Sequence, residues 1–388
     1  MKFGIFFELS APRPFSHAVE LAVYQNALEQ CRLADQLGFD HVWAVEHHFL
    51  EGYSHCSAPE VFLSAVAAQT QRIRVGHGAV VCVPEMNHPI RVAERAAALD
   101  LISNGRLELG TARSSTWTEL GGFEVNPDDT KKTWEEFVRV LPQMWRLEEF
   151  SWSGKALNMP SRNVLPKPLQ NPHPPLWVTV TSPGTELDAA HLGLGCLGVS
   201  AAGYAEQERR TKEYHRVIKN CDPVGGLVND QVHTMNFLYC HEDYRQARDV
   251  GVPMVNAFNV ANQHLYWTRE AYPTRAYQTL GNAGAAMKAK DKLAANKPAK
   301  PVADDPSIAK GLPEGVGVGD PEHLIATIKR WESIGVTGIN FLLNAMEMLP
   351  QEQVLASMKL FAEEVMPHFR STEERSKPVY TPSTVEVG

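Results

Sequence analysis

Eight short apolar runs recur along this chain, nearly every one followed by a stretch with helical spacing. That alternation limits the folds open to it. The runs are residues 2–8, 41–48, 73–83, 106–113, 175–181, 196–201, 232–240 and 338–344. Between them, residues 18–37 carry Tyr24, Ala27, Leu28, Cys31 and Ala34 as one apolar stripe, and Gly38 supplies a stop. A second helix is opened by Ser57 and Pro59, with Glu60 where a capping box needs its acid. Further helices are expected over 88–103, 130–146, 182–193, 205–220 and 351–366, the last with Val354, Met358, Phe361 and Val365 at helical intervals. Strands that alternate with helices predict parallel pairing, and eight such units close most economically into a (β/α)8 TIM barrel. A doubly wound open sheet is the alternative. Residues 281–312 are rich in Ala, Lys, Pro and Asp with no apolar period, which predicts a mobile excursion. The expected organisation is one barrel over residues 1–370, with 257–312 as a long insertion or lid before the last strand, and a tail over 371–388.

Composition narrows the function classes. A hydrophobic share of 44% with 21% charged residues fits a soluble globular chain. The net charge of -8, with acids and bases interspersed, argues against a nucleic-acid or anionic-membrane surface. Lys2 ahead of an apolar run interrupted by Glu8 does not read as a signal peptide, and no run approaches the length of a membrane span. The six cysteines are scattered without a CxxC pair, so a reducing compartment, the cytoplasm, is expected.

In a barrel, chemistry collects where strands end. The second run, HVWAVEHHF, turns from apolar to polar at Glu46, His47 and His48. Neighbouring side chains of a strand diverge, so one histidine is expected at a site and the other in packing. Other strand ends offer His77, Gly78 and Ala79, Thr111 to Arg113, Thr181 with Ser182, and Asn344. The stretch SPGTELDAA reads as a capped helix, with Ser182 at the cap, Pro183 at the first position and Thr185 in the first turn. Its open N–H groups suit an anion, and Arg113 and Lys131 add charge, so a phosphate site competes evenly with plain capping. No GxSxG elbow and no HxH or HExxH spacing is present, so neither a serine hydrolase nor a catalytic metal is expected. GLGCLG at 193–198 follows a helix and enters a strand, the reverse of a dinucleotide-binding loop.

Taken in order, GFDHVWAVEHHF, SAPEVFLSAVAAQTQRIRVGHGAVVCVPEMNHPIRVAERAAALDLISNGRLELGTARS, LPKPLQNPHPPLWVTVTSPGTELDAAHLGLG and GVGDPEHLIATIKRWESIGVTGINFLL resemble the bacterial luciferase-like flavin monooxygenases. The resemblance covers most of residues 1–370 and is weak over about 225–312. It implies a (β/α)8 barrel that takes reduced FMN (FMNH2) from a separate NAD(P)H:flavin reductase. It further implies that O2 adds at the flavin C4a, and that one oxygen atom passes to a small organic substrate. Residue by residue, His47 matches the active-site histidine, Arg113 the arginine on the FMN phosphate, and Ser182 and Thr185 its phosphate-binding hydroxyls. Lys131 falls where luciferase has a second phosphate-binding arginine, and Gly78-Ala79 match a non-prolyl cis peptide behind the flavin ring. Ala112 departs from luciferase, which has a reactive cysteine there, so long-aldehyde luminescence is not expected. The family's dimer bundle corresponds to helices 58–70 and 89–103. Three other readings stay open: a noncatalytic flavin-binding partner subunit, an oxidoreductase using the deazaflavin F420, and a metal-dependent barrel hydrolase.

Overall fold

The computed structural model describes residues 1–12, 14–114, 116–182, 184–198, 203–267 and 314–370, and side chains of the 244–267 helix as far as 261. In chain order the elements are β1 (Lys2–Phe7), α1 (His17–Leu37), β2 (His41–Ala44), α2 (Pro59–Gln69), β3 (Arg74–Val81), α3 (Pro89–Ile102) and β4 (Leu107–Ala112). Next come α4 (Trp117–Gly122), α5 (Thr130–Arg146), a hairpin of β5 (Phe150–Ser153) and β6 (Asn158–Arg162), β7 (Leu176–Thr179), α6 (Thr185–His191) and β8 (Gly195–Leu197). The last part holds α7 (Tyr204–Val217), β9 (Val232–Cys240), α8 (Tyr244–Trp267), β10 (Gly317–Gly319), α9 (Pro321–Ser333), β11 (Gly338–Leu342) and α10 (Gln351–Leu360).

Eight parallel strands close on themselves in the order β9-β11-β1-β2-β3-β4-β7-β8, and β8 pairs back to β9. All eight expected runs are these strands, so the closed barrel stands and the open sheet does not. The short β10 adds to the far end of β9 through Gly317 opposite Leu238.

Two cores hold the barrel. Outside it, helices lay apolar faces on the strands; α1 contributes Val23, Ala27, Cys31 and Ala34. That helix starts where the Ser16 side chain accepts the Val19 N–H, and stops at Gly38, whose φ of 84° lets its N–H turn back to Ala34. Inside, Trp43 of β2 and Trp177 of β7 meet edge to face at 5.4 Å. Such a pair contributes about 0.5–1.5 kcal/mol beyond the area it buries. Gly76 and Gly195 make the space, since a Cβ there would stand 2.3 Å from Trp43 and 2.4 Å from Trp177. Nearer the N-terminal strand ends, Glu108 accepts from Trp177 Nε1 at 2.7 Å and pairs with Arg74, while His41 and His233 fill the remaining space. Burial, helped by the Arg74 and Lys2 charges, pushes His41 down to about 3, so it is neutral filling.

Several local expectations need correction. β2 ends at Ala44 rather than reaching His48, because His47 N–H leaves the sheet for Cys56 O at 3.0 Å. α2 is not capped by Ser57: the cap position is Ala58, without a side-chain bond, and Glu60 pairs with Arg95 instead. α6 is shorter than 182–193, and its cap is Gly184 at φ 91°, not Ser182. The Gly184 N–H is taken by the Glu186 carboxylate at 2.9 Å, which leaves Ser182 outside the helix. Residues 257–267 belong to α8 rather than to a separate insertion. Residues 268–313 and 371–388, which hold Tyr272, Tyr277 and the 285–306 flank, lie outside the described residues. Among the described residues no helix is long and apolar enough to cross a membrane.

Candidate active site

The C-terminal ends of β1 and β2 bring Glu8 and His47 together, and a short helix after β4 adds a third group. His47 Nδ1 lies 2.9 Å from Glu119 Oε1, and its Nε2 lies 3.8 Å from Glu8 Oε2. Glu119 comes from α4. It also accepts the His48 N–H at 3.1 Å and the hydroxyls of Ser114 at 2.9 Å and Thr116 at 2.7 Å. Four donors fix this carboxylate, and it fixes the imidazole in turn. Tyr53 stands edge-on to His47 at 5.5 Å between ring centres, and Phe258 of α8 lies 5.3 Å from Tyr53. One side of the site is therefore apolar wall.

Burial works against a charged His47, but the Glu119 charge and hydrogen bond, with Glu8 and Glu46 beyond, outweigh it and raise the imidazole to about 9. Burial dominates at Glu8, which is 2% exposed, and raises it to about 7. The His47 charge and the hydroxyls of Tyr53 and Ser54 pull Glu8 down, while Glu119 adds to the rise. Glu119 is held below the usual carboxylate range: burial opposes this, and His47, Thr116 and Ser114 prevail. At neutral pH the arrangement is an imidazolium on an anionic Glu119, with Glu8 near half-titration. It stores a proton.

The other histidines do different things. His48 bonds Glu46 at 3.1 Å and lies 4.9 Å from the Phe123 ring, so it packs where His47 reaches the mouth. Glu46 ties β2 to β3 by accepting the Val81 N–H at 2.9 Å and the Asn87 amide at 2.7 Å. His77 is buried and pushed down to about 4 by desolvation, with Arg95 reinforcing and Glu60 and Glu46 opposing. Its Nδ1 has no hydrogen-bond partner. It is a helix-layer residue and does not join the mouth. Among the described residues no three His, Cys, Asp or Glu side chains converge as metal ligands.

The remaining sequence-derived positions sit at neighbouring strand ends. The Gly78–Ala79 peptide on β3 is cis. Arg113 follows β4, is half-buried, and has no carboxylate within ion-pair distance among the described residues. β4 pairs with β7, whose following helix α6 begins at the buried Thr185. Lys131, near the start of α5, is bonded to Asp188 of α6 at 2.7 Å, so it stands beside that helix but already has a partner. Glu119 escaped the sequence reading, although Thr116-x-x-Glu119 is a capping-box signature. The box is half used: Thr116 accepts the Glu119 N–H at 3.2 Å, and the Glu119 carboxylate turns away to His47.

A closed parallel barrel with a buried acid–imidazole–acid set at its C-terminal mouth defines an enzyme-type (β/α)8 site. The chain belongs to the luciferase-like monooxygenase family, whose profile matches residues 1–338. It is 26% identical to limonene 1,2-monooxygenase of Rhodococcus erythropolis over 353 residues, covering 90% of this chain and 82% of that protein. It is 30% identical to the oxygenase component of the flavin-dependent trigonelline monooxygenase of Acinetobacter baylyi, over 50% of this chain and 52% of that one. The crystal structure of monooxygenase RslO1 from Streptomyces bottropensis superposes with a TM-score of 0.73 at 27% identity, over 95% of this chain and 100% of that one. Against three curated relatives, that oxygenase component included, the chain spans between 52% and 63% of their length.

Proposed function

We propose that this protein is the oxygenase half of a two-component system. It binds reduced FMN from a separate NAD(P)H:flavin reductase and inserts one atom of O2 into a small organic substrate, as a cytoplasmic homodimer. The observation that carries this is His47 held between Glu119 and Glu8 at the barrel mouth, because oxygen chemistry at a flavin needs a controlled proton beside it. The relative named as an oxygenase component supports the separate reductase.

The donor set fits FMN. Arg113, which has no acidic partner among the described residues, and the hydroxyls of Ser182 and Thr185 suit a phosphate, and the family resemblance would put the Gly78-Ala79 backbone behind the ring. Lys131 would reach the phosphate only by exchanging away from Asp188. Bound reduced FMN supplies the activation of O2. The chain's own work is to place a proton. Glu119 orients the imidazole through Nδ1, which leaves the Nε2–H as the proton to deliver, and Tyr53 with Phe258 keeps water from that side.

Photoreduced FMN and O2 supplied with a panel of terpenes, ketones, sulfonates, amines and aldehydes tests the reading. An oxygenated product from one class is expected. Binding of reduced FMN without product or O2 consumption would point to the noncatalytic partner subunit, and selective turnover with reduced F420 to the deazaflavin alternative.

A further inference from the structure

Beside Glu8 lies a cavity of about 20 Å³ that His47 does not line. Among its lining side chains are Glu8, Ser10, Gln30, Asn344 and Glu347. A space of this size holds one water molecule when polar groups face it. Most of those groups are already committed. The Ser10 hydroxyl donates to Tyr53 O at 2.6 Å, the Gln30 amide to Gln351 at 2.8 Å, and the Asn344 amide to Leu349 O at 2.9 Å. Glu8 Oε2 is buried with no hydrogen-bond partner, although it faces His47 Nε2 at 3.8 Å. Glu347 is half-buried, accepts the Asn344 amide at 3.2 Å, and has no cation within ion-pair distance among the described residues. Asn344 holds the turn that presents it, where Met346 and Glu347 both adopt positive φ, 60° and 51°.

We propose that Glu8, one water in this cavity and Glu347 form a proton route between His47 and solvent. The inference rests on His47 as the proton-holding group. A proton leaves His47 Nε2 for Glu8 Oε2, giving a neutral imidazole and a carboxylic acid. Glu8 returns its proton to the cavity water as that water gives another to the Glu347 carboxylate, and Glu347 releases it outside. No electrons move, and the reverse sequence reloads His47. Closing the 3.8 Å gap to hydrogen-bond length takes a shift of under about 1 Å. Burial raises both carboxyls to about 7, so exchange between them is nearly level. The charges around Glu8 are His47 and Glu119, with Tyr53 and Ser54 as hydroxyls; burial alone acts on Glu347.

The route is tested twice. Infrared titration of the full resting protein from about pH 5 to about pH 9 should show two carboxyl bands changing near the middle of that span. Glu8→Gln should remove one and Glu347→Gln the other. In weak buffer, with photoreduced FMN and O2 as reactants and H2O2 release as readout, Glu347→Gln should slow steady-state turnover about tenfold. Added imidazole should restore it, and Glu347→Asp should stay near the parent rate. An unchanged rate in Glu347→Gln, a loss that imidazole does not rescue, or a Glu347 band titrating at the ordinary carboxyl range would overturn the route. Undiminished turnover in His47→Ala would instead overturn the role of His47, whatever the infrared bands show.

Discussion

His47 and Glu119 stand 72 positions apart in sequence and 2.9 Å apart in space, and the pairing is the largest influence holding the imidazole protonated. The acid comes from a six-residue helix, too short to be stable by itself. What holds that helix is the set of bonds converging on Glu119 and the contacts of Leu120 with Val81, Val83 and Val125.

Glu119→Gln keeps the shape of this bond and removes its charge. The largest influence raising His47 is then lost, so the imidazole should fall from about 9 toward the ordinary histidine range near about 6.5. Histidine NMR titration of the resting protein reads this directly. A His47 titration that stays near 9 would show that Glu8 and Glu46, not Glu119, control it.

The same shift has a stability consequence. His47 has a folded pKa above its unfolded one, so its contribution is complete below about 6.5 and disappears as pH rises through about 9. The amount is roughly 3–4 kcal/mol. Glu8 acts with the same sign lower down: its raised pKa makes ionisation costly, so stability also falls between about 4.5 and about 7. Urea unfolding should therefore show declining stability across neutral to alkaline pH. In His47→Gln the decline above about 7 should flatten. A parent profile that rises through that interval would contradict the assignment.

His47→Ala should bind FMN close to normally yet lose substrate oxidation by roughly 10²-fold or more, since it removes the proton donor and leaves the ring contacts. Flavin fluorescence titration beside product analysis separates the two effects. His48→Ala should behave oppositely, lowering thermal stability through lost contacts with Phe123 and Glu46 while sparing chemistry.

Much of this was readable in the chain, and the exceptions have physical causes. The barrel strands were legible because parallel strands buried on both faces read as continuous apolar runs. The β5–β6 hairpin was missed, although Phe150 and Trp152 alternate as strand residues do. Its anchor is remote: Glu136 of α5 accepts Trp152 Nε1 and the N–H groups of Lys155, Ala156 and Leu157. The place at a strand end marked Glu46 to His48 as a stretch to watch, and the resemblance singled out His47 from it, even though the strand stops three residues before His47. The chain leaves the sheet there, as the His47 N–H goes to Cys56 O, and Phe49 just beyond the pair takes φ 64°. Glu119 and Glu347 were not legible. The capping box around Glu119 is local, but its bond to His47 spans 72 positions, and what distinguishes Glu347 is burial, which no local pattern records.

Arg113→Ala should weaken FMN binding by about 2 kcal/mol or more, through loss of charge-assisted bonds to a dianion. Riboflavin, which has no phosphate, should be nearly unaffected. Calorimetry with both ligands decides, and an equal loss for the two would remove Arg113 from the phosphate.

The final prediction concerns assembly. On α2, Val61 is 69% exposed, and Ala65 and Ala68 continue its face one and two turns on, away from the buried Phe62, Leu63 and Val66. On α3, Ala98, Leu101 and Ile102 form a similar strip beside the buried Ala93, Ala96 and Ala97. The two helices pack on one another. Small residues allow a second pair of helices to approach closely, and covering these half-exposed Val, Leu and Ile side chains contributes about 1 kcal/mol each. An isologous dimer uses every such contact twice. Val61→Glu with Leu101→Lys should therefore give a monomer by sedimentation at micromolar concentration, against a dimer for the parent. The pair introduces opposite charges, so the net charge is unchanged and solubility is not the variable. A parent that sediments as a monomer, or a double variant that stays dimeric, would move the interface elsewhere on the barrel.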